Sequence, residues 1–296
     1  MSRLGAYEFP VIDSVLHPSD FSEASEVAFA HALKTALIAG SQLTLFHVSS
    51  DKHVEWSDFP GVRETLERWG LLAPSSARTA VADLGIDIRK LIAHERSPVS
   101  SLLRYLDAHP TDLIVLASHR LQDGTHWLRR RVAEPVARKS GQATLFVPHG
   151  TDGFVSLRDG AVSLQRVLIP VAPTPKPQPA VDAAARLVSR LSCGSGMFTL
   201  LYVGAEGDMP AVHRPDVSGW RWDSVTRAGD VIDVILDTAR STDADLIVMT
   251  TDGRDGFLDV FRGSHSERVL RQTPCPLLVI PETGILKERL RQLSRI

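Results

Sequence analysis

"DLIVLASHRLQDGTHWLRRRVAEPVARKSGQATLFVP" occupies residues 112–148, and "DLIVMTTDGRDGFLDVFRGSHSERVLRQTPCPLLVIP" occupies residues 245–281. The two stretches lie on each other without a gap: Asp-Leu-Ile-Val, an Arg, a Glu, a Val, a second Arg, a Leu and the closing Pro coincide. Working outward, "VLHPSD" from Val15 answers "VLIPVA" from Val167, and "TLFHV" from Thr44 answers "TLLYV" from Thr199. A unit of about 140 residues therefore occurs twice, and a repeat of that kind is settled before any motif is weighed.

Within each unit, short β-branched runs alternate with longer helical stretches, which is the pattern of a parallel sheet covered by helices. The first half predicts strands at residues 12–17, 43–48, 86–92, 113–117 and 144–147. Its first helix runs from an N-cap at Ser22 to a stop at Gly40, with Ala24, Ala28, Ala32 and Ala36 on one face. Ala180, Ala184, Val188 and Leu191 play that part in the second half. Residues 62–71 suggest a further helix, whereas the matching "GAEGDMPAVHRPDVSGWRW" is too interrupted for one, leaving Trp220 and Trp222 to cover apolar surface. "GFVSLRDGAVSLQ" alternates on both sides of Asp159-Gly160 and predicts a hairpin between the halves. The fold class is thus α/β, two tandem doubly wound domains with helices on both sheet faces. Residues 1–149 form the first domain, 150–164 the linker hairpin and 165–296 the second domain, closed by a helical tail with leucine spacing.

Composition excludes several classes. With 33 Lys and Arg against 35 Asp and Glu the net charge is −2, so no basic field favours nucleic acid. No run reaches the roughly 18–20 apolar residues of a membrane span, and the start resembles no signal peptide. Cys193 and Cys275, far apart and outside any Cys-x-x-Cys spacing, point to buried thiols in a reducing compartment. The expected location is cytoplasmic.

"VLHPSDFSEAS", "LFHV", the "DLIV" strand and "RGSHSERVL", in that chain order, resemble the universal stress protein family in its tandem form, over nearly the whole chain. The resemblance implies five parallel strands per domain in the order 3-2-1-4-5, and an adenine-nucleotide site at the strand ends. Nucleotide-binding members have G-x2-G-x9-G-[ST] after strand four, an Asp ending strand one and a Val ending strand two. Glycines let backbone N–H groups approach phosphate oxygens, and a Gly-Ser pair opening a helix adds its first N–H groups and a hydroxyl.

Matched residue by residue, the second half keeps Gly253, Gly263 and Ser264, with Thr250 in place of the first glycine and Val203 ending strand two. Met249 and His265 flank this set, but Ala172 stands where the adenine-side Asp belongs. The first half is complementary: Asp20 and Val48 remain, while Ala117, Arg120, Arg130 and Arg131 replace the glycines and serine. The resemblance implies ATP or another adenine nucleotide, with magnesium accompanying it, in the second half: Gly253, Gly263 and Ser264 on phosphates, Thr250 near the ribose, Val203 against the base.

Blander readings stand beside these. The glycines can be turn punctuation, Asp20 can cap the following helix, and Arg129–Arg131 can be a solvated face. His47 and His119 have no second ligand at metal spacing. No nucleophile, base and orienter come together, so the reading is a binding or regulatory module that pairs as a homodimer, not an enzyme. A slow nucleotide-hydrolysing or adenylate-transferring enzyme using Asp252 or Asp255, and a nucleotide-free scaffold, remain the alternatives.

Overall fold

The structure, a computed structural model, describes residues 12–118, 132–251 and 272–282. The first half contributes strands β1 (Ser14–Pro18), β2 (Gln42–Val48), β3 (Asp87–Ala93), β4 (Leu113–Ser118) and β5 (Ala143–Pro148). Its helices are α1 (Glu23–Ala39), α2 (Val62–Arg68), α3 (Pro98–Ala108) and α4 (Ala133–Ser140). The second half contributes β6 (Arg166–Val171), β7 (Gly196–Val203), β8 (Trp220–Arg227), β9 (Leu246–Thr251) and β10 (Leu277–Pro281), with α5 (Gln178–Arg190) and α6 (Val231–Ser241).

All ten strands share one sheet, ordered β3-β2-β1-β4-β5-β10-β9-β6-β7-β8. Each half reads 3-2-1-4-5 toward the middle, and within each half every pairing is parallel. The halves meet where β5 and β10 pair antiparallel, with Leu145 opposite Leu278 and Phe146 opposite Leu277. Successive strand residues face opposite sides, so apolar runs such as "LIVL" feed two cores at once. Val115, Leu145, Leu278 and Ile280 join α1, α2 and α5 on one face. Ile114, Phe146, Leu277 and Val279 join α3, α4 and α6 on the other.

Local signals explain the helix ends. Ser22 accepts from the Ser25 N–H at the start of α1, and Gly40 takes the left-handed conformation that ends it, φ +62°. Taking Asp20 with Ala172, Ala28 falls on Ala180, yet α1 starts at Glu23 and α5 only at Gln178. Pro175 and Pro177 occupy the lost first turn, and α5 opens without a side-chain cap from Pro177.

The repeated Asp of "DLIV" has one task in both halves. Asp112 accepts from the backbone N–H groups of Asp13 and Ser14 and from the Ser14 hydroxyl, all at 2.9 Å. Asp245 accepts from the N–H groups of Gln165 and Arg166, both at 2.8 Å. Each carboxylate thereby ties the start of strand four to the start of strand one. Asp112→Ala is expected to cost about 1–3 kcal/mol, since it strips a charged acceptor from several donors at once. Urea unfolding with a lower midpoint and an unchanged slope would show this.

Between the halves, Ser156 and Ala161 flank a tight turn at Asp159-Gly160, and Val155 bridges Val162 antiparallel. This connector packs on the first half: Phe154, Val155 and Leu164 are buried, and the Trp69 indole N–H donates to the Leu157 carbonyl (3.2 Å). It explains why α1 is buried on more than its alanine face, with Phe29, His31 and Leu33 also enclosed.

No helix forms between β7 and β8. Trp220 and Trp222 lie on β8 itself and sandwich Phe198, at centroid distances of 4.6 and 4.2 Å, while Met209, Val212 and Val217 of the preceding loop complete the cover.

Candidate nucleotide site

Helices following β1 and β4 lie on opposite faces, so a crevice opens between the C-terminal ends of these two strands, the usual ligand position in such sheets. The equivalent crevice of the second half lies between β6 and β9.

In the first half, Asp20 follows β1 directly. Its Oδ1 accepts from the Ser22 N–H (3.1 Å), the Ser22 hydroxyl (2.5 Å) and the Ser25 hydroxyl (2.8 Å). Asp20 therefore organises the start of α1, the helix-capping alternative, and that oxygen is committed. Phe21, in the left-handed region at φ +60°, stacks on His47 at 4.0 Å and meets Phe59 edge-on at 5.2 Å. His47 donates from Nδ1 to the Ser19 carbonyl (2.7 Å), fixing its ring against the end of β1. This aromatic wall was not read from the sequence, although the Phe of "DFS" and the His of "LFHV" were its signal. Beneath it, His17 donates from Nδ1 to Val115 on β4 (3.0 Å), and its Nε2 has no hydrogen-bond partner. Burial lowers the His17 pKa to about 4, against a smaller opposing effect from the Val115 carbonyl.

In the second half, Thr250 and Thr251 are buried at the end of β9. The Thr250 hydroxyl oxygen accepts from the Ala180 N–H (3.2 Å), so it caps the helix that Pro175 and Pro177 left uncapped. Ala172 offers no carboxylate to a base. Half-buried Val48 and Val203 and buried Met249 pack against the core that α3 and α6 also line. Gly253, Gly263, Ser264, His265, Asp252, Asp255, His119, Arg120 and Arg129–Arg131 lie outside the described residues, as does the helical tail. The described residues thus fit an adenine nucleotide only in part, with a base-side carboxylate in one half alone.

The sequence model of the Universal stress protein family matches residues 12–148 and 214–281. The match takes in β1 to β5 of the first half and β8, β9 and β10 of the second, while β6, α5 and β7 fall outside it. A universal stress protein of Thermus aquaticus is 38% identical over 60 residues, 20% of this chain and 44% of that protein, so the match spans less than half of that relative. The crystal structure of a universal stress protein from Archaeoglobus fulgidus superposes with a TM-score of 0.58 at 18% identity, covering 91% of this chain and 98% of that one. A universal stress protein solved in complex with cAMP aligns with 47% of this chain and 98% of its own, at 22% identity and a TM-score of 0.30. With more than half of its length matched and the tandem α/β sheet in place, the chain belongs to the universal stress protein family.

Proposed function

We propose that the protein is a cytoplasmic binding or regulatory module that holds an adenine nucleotide, ATP with or without magnesium, in its second half and does not turn it over. The observation that supports this reading is positional. β9 ends at Thr251, in the crevice beside β6, and the chain passes directly from there into the stretch bearing Gly253, Gly263 and Ser264. Backbone N–H groups at the two glycines and the Ser264 hydroxyl would take phosphate oxygens there. The first half, with Asp20 committed to α1 and arginines in place of glycines, is the degenerate partner. Two free cysteines, both with pKa raised by burial, to about 11 for Cys193 and about 12 for Cys275, suit a reducing compartment. Because β5 and β10 already occupy each other, a homodimer of the whole chain would need another surface, and sedimentation of the intact protein tests for one.

The test is to look for nucleotide released on denaturing the purified protein and to compare melting with and without ATP and magnesium. At a hundredfold excess over Kd, binding adds about 2.7 kcal/mol, a rise of several degrees. Gly263→Asp is expected to abolish that rise and Arg130→Ala to leave it. A protein that neither retains nucleotide nor melts higher in millimolar ATP contradicts the reading. Magnesium-dependent ATP loss removed by Asp252→Asn would instead make it an enzyme.

A further inference from the structure

His31 sits in the middle of α1, fully enclosed. Its Nδ1 lies 2.8 Å from the Val27 carbonyl one turn back, which requires the proton on that nitrogen. The other nitrogen, Nε2, is consequently a bare acceptor, and two backbone donors converge on it: Phe154 N–H at 3.0 Å and Val155 N–H at 3.2 Å. The Phe154 ring packs edge-on against the imidazole at 4.6 Å. Gly153 passes so close that an added Cβ would meet the imidazole at 2.3 Å. One neutral histidine therefore satisfies both N–H groups at the root of the connector, the segment that leads from β5 into β6.

We propose that His31 is a proton-operated latch: its neutral imidazole holds the connector on α1, and protonation releases the connector while the sheet stays folded. The reason is the donor count. With a proton on each nitrogen, the ring has no acceptor left, and two N–H groups face a third donor in a buried site. The charged or titratable groups on the surrounding elements are Glu23, Glu26 and Lys34 on α1, Arg63, Glu64, Glu67 and Arg68 on α2, His17 on β1, His47 on β2, His149 after β5, and Asp152, Arg158 and Asp159 on the connector. None hydrogen-bonds to the ring, whose partners are Val27, Phe154 and Val155. Burial alone lowers the folded pKa, to about 4, with the Val27 carbonyl opposing more weakly. A released, hydrated His31 returns to its ordinary 6.5, so acid favours the open connector.

The linkage is quantitative. Lowering the pH from 7.5 to 5 increases the open population by about thirtyfold, given the two values. Amide hydrogen exchange in the full chain reads this directly. Protection of the Phe154 and Val155 amides, corrected for intrinsic exchange, is expected to fall by that factor while staying well below that of Leu45 and Val115 in the sheet, which open only with the whole fold. His31→Gln, whose amide oxygen can accept without titrating, is expected to flatten the dependence. If wild-type protection at Phe154 and Val155 changes by less than about threefold over this range, the latch is refuted. Protection at Phe154 and Val155 equal to that at Leu45 and Val115 at every pH refutes it too, because the connector would then open only by global unfolding. Both readouts need only the wild type, so they decide even if the variant fails to fold.

Discussion

Between pH 6.5 and 4 the protein is expected to lose up to about 6 kcal/mol of stability, close to all that a marginally stable fold possesses. The source is two histidines, His17 and His31, each fully buried and each with its pKa lowered from 6.5 to about 4. Their folded values lie below their unfolded ones, so the unfolded chain binds protons first as the pH falls. The stabilisation is complete above pH 6.5 and disappears on the way to pH 4, at about 3 kcal/mol for each group. Glu64 and Glu95, whose values are lowered from 4.5, lose their contributions only further into acid. Urea midpoints measured at half-unit pH steps should therefore fall steeply through the histidine window. His17→Ile, which copies Ile169 at the matching position of the second half, should remove about half of the slope. A midpoint that stays level from pH 6.5 to 4.5 would show that neither histidine is held neutral.

Phe198→Ala is expected to be the most damaging single truncation of the second half, at about 3–5 kcal/mol. Phe198 is wholly buried on β7, stacked on Trp222 at 4.2 Å and tilted against Trp220 at 4.6 Å. In the first half, α2 covers the corresponding part of the sheet, whereas here a loop and this aromatic trio do so alone. The indole N–H groups are tied down as well, Trp220 to Cys193 and Trp222 to Pro215, so the rings cannot swing in to fill the void. Phe198→Leu, which keeps most of the volume, should cost far less. Near-equal urea midpoints for the alanine variant and the wild type would mean that the trio adds no stability.

The duplication, the strand sequence and the α1 caps were legible because they depend on local chemistry repeated in both halves. Ser22 and Gly40 each act within a few residues of themselves, and strand alternation needs no partner to be seen. What escaped depends on contacts between distant segments. Asp112 is read as the first letter of a strand, but its carboxylate reaches back 98 residues to Ser14. Thr250 stands in the place of the first glycine, and the resemblance sets it near the ribose. Its role as a cap for Ala180 follows only once Pro175 and Pro177 are seen to displace the helical turn. Val48 and Val203 end β2 and β7 as read, and with Met249 they pack against the core shared with α3 and α6, a contact that alternation alone does not reveal. His31 carried no motif at all, and its two donors lie 123 and 124 residues away.

The antiparallel meeting of β5 and β10 has a consequence for how such a chain can change over time. Two free-standing units must find each other in solution, and every substitution at their junction is felt twice, once on each side. Fusion removes the dependence on dilution, because the covalent tether keeps the second unit at high local concentration. It also releases each side from having to match itself, as an isologous contact demands. Each half is then free to lose what the other retains, and the unequal inheritance of Asp20 on one side and Gly253, Gly263 and Ser264 on the other is the kind of drift that this freedom permits.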